Sequence, residues 1–405
     1  MHFCGESGMK RLLNLEYSCV HGTYWMMYAV ICSFASAFLL DRGYSNSDIG
    51  IILAVANVVA VFVQPLVADL SDRSKRISLI GVTQVITVIL MVLTALTFTL
   101  KGASVSLSVV FVLMVAWVTV LQPLFNSMAF KLEESGYRVS FGVARSMGSL
   151  AYAVLCAFLG TLVENLGTVI LPLTGELTMV LLLVSLWFAQ RHFRKACQGK
   201  EKEYIPLEET GEEINLWEFV RRNKLFIIAN VGIAGIFFSN AIFNNFMLQI
   251  VENVGGDSED MGRIFSVMAF LEIPSLFLFD KIRQRFSCQS LLKFAALCFT
   301  LKVVWVYMSS SVAMIVAAQL FQLVSFAIFL PAIVCFIDEI MAKGEAVKGQ
   351  SLYTSVVTVS TVFASLSGGF ILDISGAKTL LLISAIITGA GTLLFDSVIG
   401  KIQKY

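Results

Sequence analysis

The chain has 405 residues, 57% of them hydrophobic and 14% charged, with a formal net charge of +1 and a mean hydropathy of +0.82. A soluble domain carries about 25% charged residues, so this composition excludes a water-facing globular surface and sets most of the exterior against lipid. The near-zero net charge gives no argument for nucleic acid or for an acidic partner.

Apolar runs long enough to cross a bilayer, about 20 residues each, follow one another along the whole chain. They cover 17–40, 46–69, 77–100, 104–130, 141–164, 168–189, 224–251, 258–279, 289–309, 311–338, 349–373 and 377–399. The reading is an all-α membrane protein with twelve transmembrane helices. The fourth and tenth runs are long, which predicts tilt. Met1 to Asn14 does not read as a cleaved signal, because the apolar segment after it is too long for one. The joints are short except for 190–223, a mixed-charge stretch whose end, Asn215 to Arg222, could form an interfacial helix. The expected organisation is a six-helix bundle at 1–189, a linker at 190–223 and a second bundle at 224–405.

Lys and Arg placement orients such a chain. With the N-terminus inside, the inner segments hold Lys10, Arg11, Arg73, Lys75, Arg76, Lys131, Arg138, the linker's basic residues, Lys281, Arg283, Arg285, Lys343, Lys348, Lys401 and Lys404. The outer loops hold Arg42, Lys101 and Lys378, with Arg263 near the outer edge. The expectation is a multi-pass protein of the cell membrane with both termini and the linker cytoplasmic.

The halves echo each other. Asp48-Ile49-Gly50, Pro65 and Asp72-Arg73 recur as Asp260-Met261-Gly262, Pro274 and Asp280-Lys281, at offsets of 208–212 residues. Gly160, Glu164 and Gly167 recur as Gly369, Asp373 and Gly376. Internal repeats of this kind place a substrate site near the midplane of a transporter.

Several of these residues carry a resemblance. Ser45 to Leu53, Gln64-Pro65-Leu66 and Leu70-Ser71-Asp72-Arg73 are similar to the second helix and following loop of lactose-permease-like members of the major facilitator superfamily. Phe141-Gly142-Val143-Ala144-Arg145-Ser146-Met147-Gly148 is similar to the start of that family's fifth helix. The order of elements agrees over nearly the whole chain. The resemblance implies two pseudo-symmetric six-helix bundles and secondary transport. Departures limit it. Ala68 stands where the loop motif has its first glycine, and the second is missing. Nothing around Asn126 to Phe130 matches the sugar-binding carboxylate of the family's fourth helix. Gln322 and Ser325 lie where its tenth helix has a histidine and a glutamate. Lactose is therefore not implied.

Charges inside membrane helices are costly and mark functional positions. Arg145 sits about two turns into its helix, where a guanidinium offers a fork of donors for hydroxyl pairs or carboxylates; the alternative is an arginine reaching the interface. Glu272, near mid-helix, could take up and release a proton, and the resemblance places a functional glutamate near it; the alternative is a structural ion pair. Lys302 corresponds to a basic residue of the family's ninth helix and could partner Glu272 or bind an anion. Glu176 reads as interfacial and structural. His21, Tyr24, Trp25 and Tyr28 share one stripe of the first helix by their spacing. Asn240 and Asn244 share a stripe on the seventh, Trp117, Gln122 and Asn126 lie on the fourth, and Gln319 and Gln322 on the tenth. The resemblance makes helices 1, 4, 7 and 10 cavity-lining; ordinary interhelical packing is the alternative. The candidate substrate residues are thus Arg145, His21, Trp25, Tyr28, Asn126, Asn240, Asn244, Lys302 and Gln322. Glu272 is the candidate for proton coupling. Asp72, Arg73, Arg76, Asp280 and Lys281 are candidates for gating loops.

The leading expectation is proton-coupled uptake of a small polar solute such as a sugar or glycoside by alternating access. Rivals are transport of an aromatic or other organic anion, drug export, and a membrane sensor that does not transport. No G-x-x-x-x-G-K-[ST] loop is present, which disfavours ATP-driven pumping, and no nucleophile–base or metal constellation points to an enzyme. Eight cysteines form no C-x-x-C pair, and histidines occur only at 2, 21 and 192. No metal and no cofactor beyond a proton gradient is expected. The expected partners are a small-molecule substrate and the bilayer, with no nucleic acid and a monomeric chain.

Overall fold

A computed structural model describes residues 2–73, 78–134, 136–137, 139–197, 219, 221–342 and 345–402. Every regular element among the described residues is helical. Hydrocarbon offers no partner for backbone N–H and C=O groups, so a spanning segment must satisfy them internally.

The elements in chain order are α1 (His2–Tyr28), a π-turn (Ala29–Ser33), α2 (Ala35–Asp41), α3 (Asn46–Arg73), α4 (Leu79–Leu96), α5 (Val105–Glu134), α6 (Phe141–Leu166) and α7 (Ile170–Cys197). There follow α8 (Lys224–Glu252), α9 (Ser258–Arg283), α10 (Cys288–Met308), α11 (Val312–Ala318), a 3₁₀ turn (Gln319–Leu323), α12 (Phe326–Ile340) and α13 (Ala346–Ile399). Among the described residues, ten helices are long and apolar enough to cross a membrane, and α1 with α2, bent by 41°, makes an eleventh pass. The twelfth lies within α13. Its 54 residues would extend about 80 Å at 1.5 Å per residue, far more than the ~30 Å hydrocarbon core. Gly376, at φ 74° and ψ 177°, divides it, because only glycine adopts that backbone conformation without strain.

Three elements differ from the sequence reading. The first helix begins at His2 rather than 17, since nothing in Met1 to Asn14 stops an α-helix once the apolar run downstream has nucleated it. The eleventh and twelfth passes join through Gly376 with no loop. The tenth run is not one continuous helix: it breaks at the 3₁₀ turn, and Ser325 (φ −94°, ψ −92°) leaves helical geometry before α12 begins.

Two compact units emerge. One comprises Met1–Lys202 with Asp257–Phe270, the other Glu203–Gly256 with Leu271–Tyr405. In the first, α9's opening turns meet α6 at backbone distance: a Cβ built on Gly262 would lie 2.5 Å from the Cys156 carbonyl oxygen and 2.8 Å from Gly160 Cα. In the second, a Cβ on Gly391 of α13 would lie 2.7 Å from the Gly232 carbonyl of α8. Small residues let helices approach this closely where no hydrophobic force drives them together. The second unit's core is aromatic. Phe237 packs against Phe299, Phe329 and Tyr353 at centroid separations of 5.5–6.1 Å, and Phe395 seals it. Large apolar side chains are left outside instead, Phe62 at 71% and Leu393 at 75% exposure, as lipid contact demands.

Among the described residues, prolines interrupt the interior of four helices, at Pro65 in α3, Pro123 in α5, Pro274 in α9 and Pro331 in α12. A helical proline deprives the carbonyl four residues back of its N–H. At Pro123 that carbonyl is Thr119's, and the Gln64 side-chain amide donates to it at 3.2 Å. Between these two helices lies a cavity of about 360 Å³, lined in part by Gln64, Pro65, Pro123 and Ser127.

Candidate functional site

The first unit gathers polar and aromatic groups along the seam of α1 and α6. Arg145 places its guanidinium 4.1 Å above the Trp25 ring. One turn further along α6, Ser149 accepts from Arg145 Nη1 at 2.8 Å. The indole fits because Gly148 has no side chain: a Cβ there would lie 2.5 Å from Trp25 Cδ1. Trp25 also meets Tyr28 at 5.0 Å and Tyr152 at 6.5 Å between centroids. Tyr152 shares a 2.7 Å hydrogen bond with Ser33, and the Tyr24 hydroxyl donates to the Val118 carbonyl at 3.1 Å. The quadrupole of an aromatic face attracts a cation, and this contact helps to hold the Arg145 fork within the helix bundle. One turn before Trp25, His21 is buried between Tyr17 and Phe141, at 4.6 and 5.9 Å from their rings.

The second unit holds a different arrangement. Lys302, on α10, donates through Nζ to Gln322 Oε1 at 2.7 Å. Gln322, on the 3₁₀ turn, donates through Nε2 to Glu272 Oε1 on α9 at 3.0 Å. Lys302 and Gln322 are each 1% exposed and Glu272 9%. The ammonium also lies 5.2 Å from the Phe243 ring centroid on α8. Buried charges persist only when paired and hydrogen-bonded. Here a neutral amide performs the pairing, accepting from the cation and donating to the anion.

The structure thus brings Arg145, Trp25 and Tyr28 together, sets His21 one turn away, and joins Glu272, Gln322 and Lys302. The expected link between Lys302 and Glu272 runs through Gln322. Asn126, Asn240 and Asn244 are half-buried on their helices; the neighbouring Asn245, not Asn244, bonds to Ser365 at 2.8 Å. Asp280 and Lys281 are exposed in the last turns of α9. Asp72 and Arg73 end α3, but their side chains lie outside the described residues, as does the whole of Arg76. Sequence reasoning missed Ser149, Tyr152 and the structural part of Gly148. The i, i+4 spacing of Ser149 from Arg145 was the available signal.

A family model described as the MFS_1 like family matches residues 17–383. The chain belongs to the major facilitator superfamily. Its structure is similar to that of the nucleoside transporter NupG. One structure of an aspartate-to-alanine variant gives a TM-score of 0.77 at 13% identity, covering 95% of this chain and 99% of that one. A second NupG structure gives 0.70 at 12% identity, covering 96% and 98%. A bacterial homologue of the human lysosomal transporter Spinster, inward-facing and unoccupied, gives 0.68 at 13% identity, covering 97% and 98%. At such identities the likeness is one of fold. No curated protein sequence matches the chain. This superfamily member is a multi-pass membrane transporter and not an enzyme.

Proposed function

We propose that the chain is a secondary active symporter that couples inward proton movement to uptake of a small polar solute by alternating access. The solute would be a sugar or a glycoside in the broad sense, a class that includes nucleosides. The observation that carries this reading is the buried Lys302–Gln322–Glu272 chain. A carboxyl that accepts from an amide inside a membrane helix, as Glu272 does from Gln322, has a neutral alternative to its charged state. When Glu272 takes a proton, Lys302 loses its counter-charge, and the balance between conformations shifts by the difference in interaction energy.

The first unit supports the solute class. Trp25, Tyr28 and Tyr152 offer aromatic faces beside the Arg145 fork. Sugar rings and nucleobases stack on such faces while hydroxyls accept from the guanidinium. The nucleoside transporter among the similar structures is compatible with that class, though its fold alone does not choose a substrate. Both termini and the linker are assigned to the cytoplasm on the basic-residue distribution, and the chain acts as a monomer.

The test is uptake by purified protein in liposomes under an inward proton gradient, with labelled sugars, glycosides, nucleosides and aromatic acids. The reading expects gradient-dependent accumulation of at least one hydroxylated ring compound, lost in Glu272→Gln. Accumulation of aromatic acids alone would transfer the assignment to an organic-anion carrier. Binding without uptake would make the chain a sensor.

A further inference from the structure

The break in the tenth pass is fastened from outside. Ser275 on α9 is buried, and its Oγ donates to the carbonyl oxygen of Leu323 at 2.6 Å. Leu323 closes the 3₁₀ turn, where carbonyls lose their regular helical partners. The residue before it is Gln322, whose amide stands between Lys302 and Glu272. Glu272 and Ser275 are three residues apart on α9 and so share a face. Two hydrogen bonds from this one face therefore reach two adjacent residues of the same short turn.

This is not the default behaviour of a helical hydroxyl. Serines in membrane helices commonly bond back to their own turn, and in the second unit Ser239, Ser365 and Ser384 do so. Ser275 crosses to another helix instead. The first unit carries a related tie. Gln64, next to Pro65, donates to the Thr119 carbonyl that Pro123 has freed. Pro65 and Pro274 are equivalent in the two halves, and Ser275 is next to Pro274. In both repeats a side chain beside the helix proline supports a loosened carbonyl on the pass two further on.

We infer that Ser275 is a positioning residue for proton coupling. By holding the Leu323 carbonyl it fixes the 3₁₀ turn, and the fixed turn holds the Gln322 amide in register with both Glu272 and Lys302. A 3₁₀ turn has poorer hydrogen-bond geometry than an α-helix, so without the tie the amide would lose its bridging position. The inference rests on the reading of Glu272 as the coupling carboxyl, and the test separates the two.

The experiment compares wild type with Ser275→Thr, Ser275→Cys, Ser275→Ala and Ser275→Val in proteoliposomes. Two quantities are read: gradient-driven accumulation across a series of external pH values, and gradient-free counterflow of the same solute. Loss of one hydrogen bond predicts a fall of about five- to tenfold in accumulation for Ala and Val, with counterflow within about twofold and a displaced pH profile. Thr, which keeps the hydroxyl, restores coupling although it is isosteric with Val. Cys, a weaker donor of nearly unchanged size, falls between, and it keeps the test open if Ala or Val does not fold. Wild-type accumulation and pH profile in Cys, Ala or Val overturns the inference, provided Glu272→Gln is uncoupled in the same membranes. If Glu272→Gln remains coupled, the proposed function itself fails and takes the positioning role with it. Equal losses of accumulation and counterflow would reduce Ser275 to a packing residue.

Discussion

Each unit holds a cation within its helices, Arg145 half-buried in the first and Lys302 buried in the second, by opposite means. In the first, Arg145 lies on the Trp25 ring and bonds to a hydroxyl. In the second, Lys302 is tied through an amide to a carboxylate. A ring face attracts a guanidinium through its quadrupole, whereas a hydrogen-bonded chain engages its members with one another. On the proposed function the two clusters divide the labour: the first would receive the solute, the second would register the proton. Substitutions in the two clusters should therefore fail differently, and that expectation can be broken.

The largest effect is expected at Glu272. With one proton carried per solute, each pH unit of gradient is worth ~1.4 kcal/mol, so two units support about hundredfold accumulation. Glu272→Gln should bring the accumulation ratio to one while leaving equilibrium binding within about threefold, measured by calorimetry. Arg145→Ala should do the reverse. Loss of charge-assisted hydrogen bonds weakens binding by about 10- to 100-fold, yet the solute that does enter should still follow the gradient. Arg145→Lys should recover little, because an ammonium lacks the planar fork. Trp25→Ala removes the cation–π face and should raise the dissociation constant about threefold to tenfold. Gly148→Ala should approach that value by displacing the indole rather than deleting it. Smallest in transport terms is Gly391→Ala. A methyl group pressed against the Gly232 carbonyl should destabilise the second unit by about 1–3 kcal/mol, seen as a lower Tm. Transport per folded molecule should be unchanged. A coupling defect in Arg145→Ala, or a binding defect in Glu272→Gln, would erase the distinction between the clusters.

Much of this was legible in the sequence for physical reasons. Twelve apolar runs are visible because bilayer thickness sets a minimum length, and Glu272 and Lys302 stand out because intramembrane charges are rare. The stripe of Trp25 and Tyr28 follows from helical periodicity alone. The break at Gln319–Leu323 was not legible, because neither glycine nor proline marks the turn and glutamines occur in continuous membrane helices as well as in broken ones. Gln322 could be placed on the tenth pass but not recognised as a bridge, since an amide gives no sign in sequence of which neighbours it will satisfy. Ser149 and Ser275 were hidden for a similar reason: hydroxyls are common in membrane helices and usually bond to their own turn. The paired prolines Pro123 and Pro331, 208 residues apart, would have strengthened the internal repeat and pointed to the same weakened passes.

The most direct test of the central claim is the dependence of solute accumulation on the imposed pH difference, for wild type and Glu272→Gln, with counterflow establishing that both preparations are active. The account predicts accumulation that rises about tenfold per pH unit in wild type and stays at unity in the variant while counterflow persists. A Glu272→Gln protein that still concentrates its solute in proportion to the gradient would contradict it.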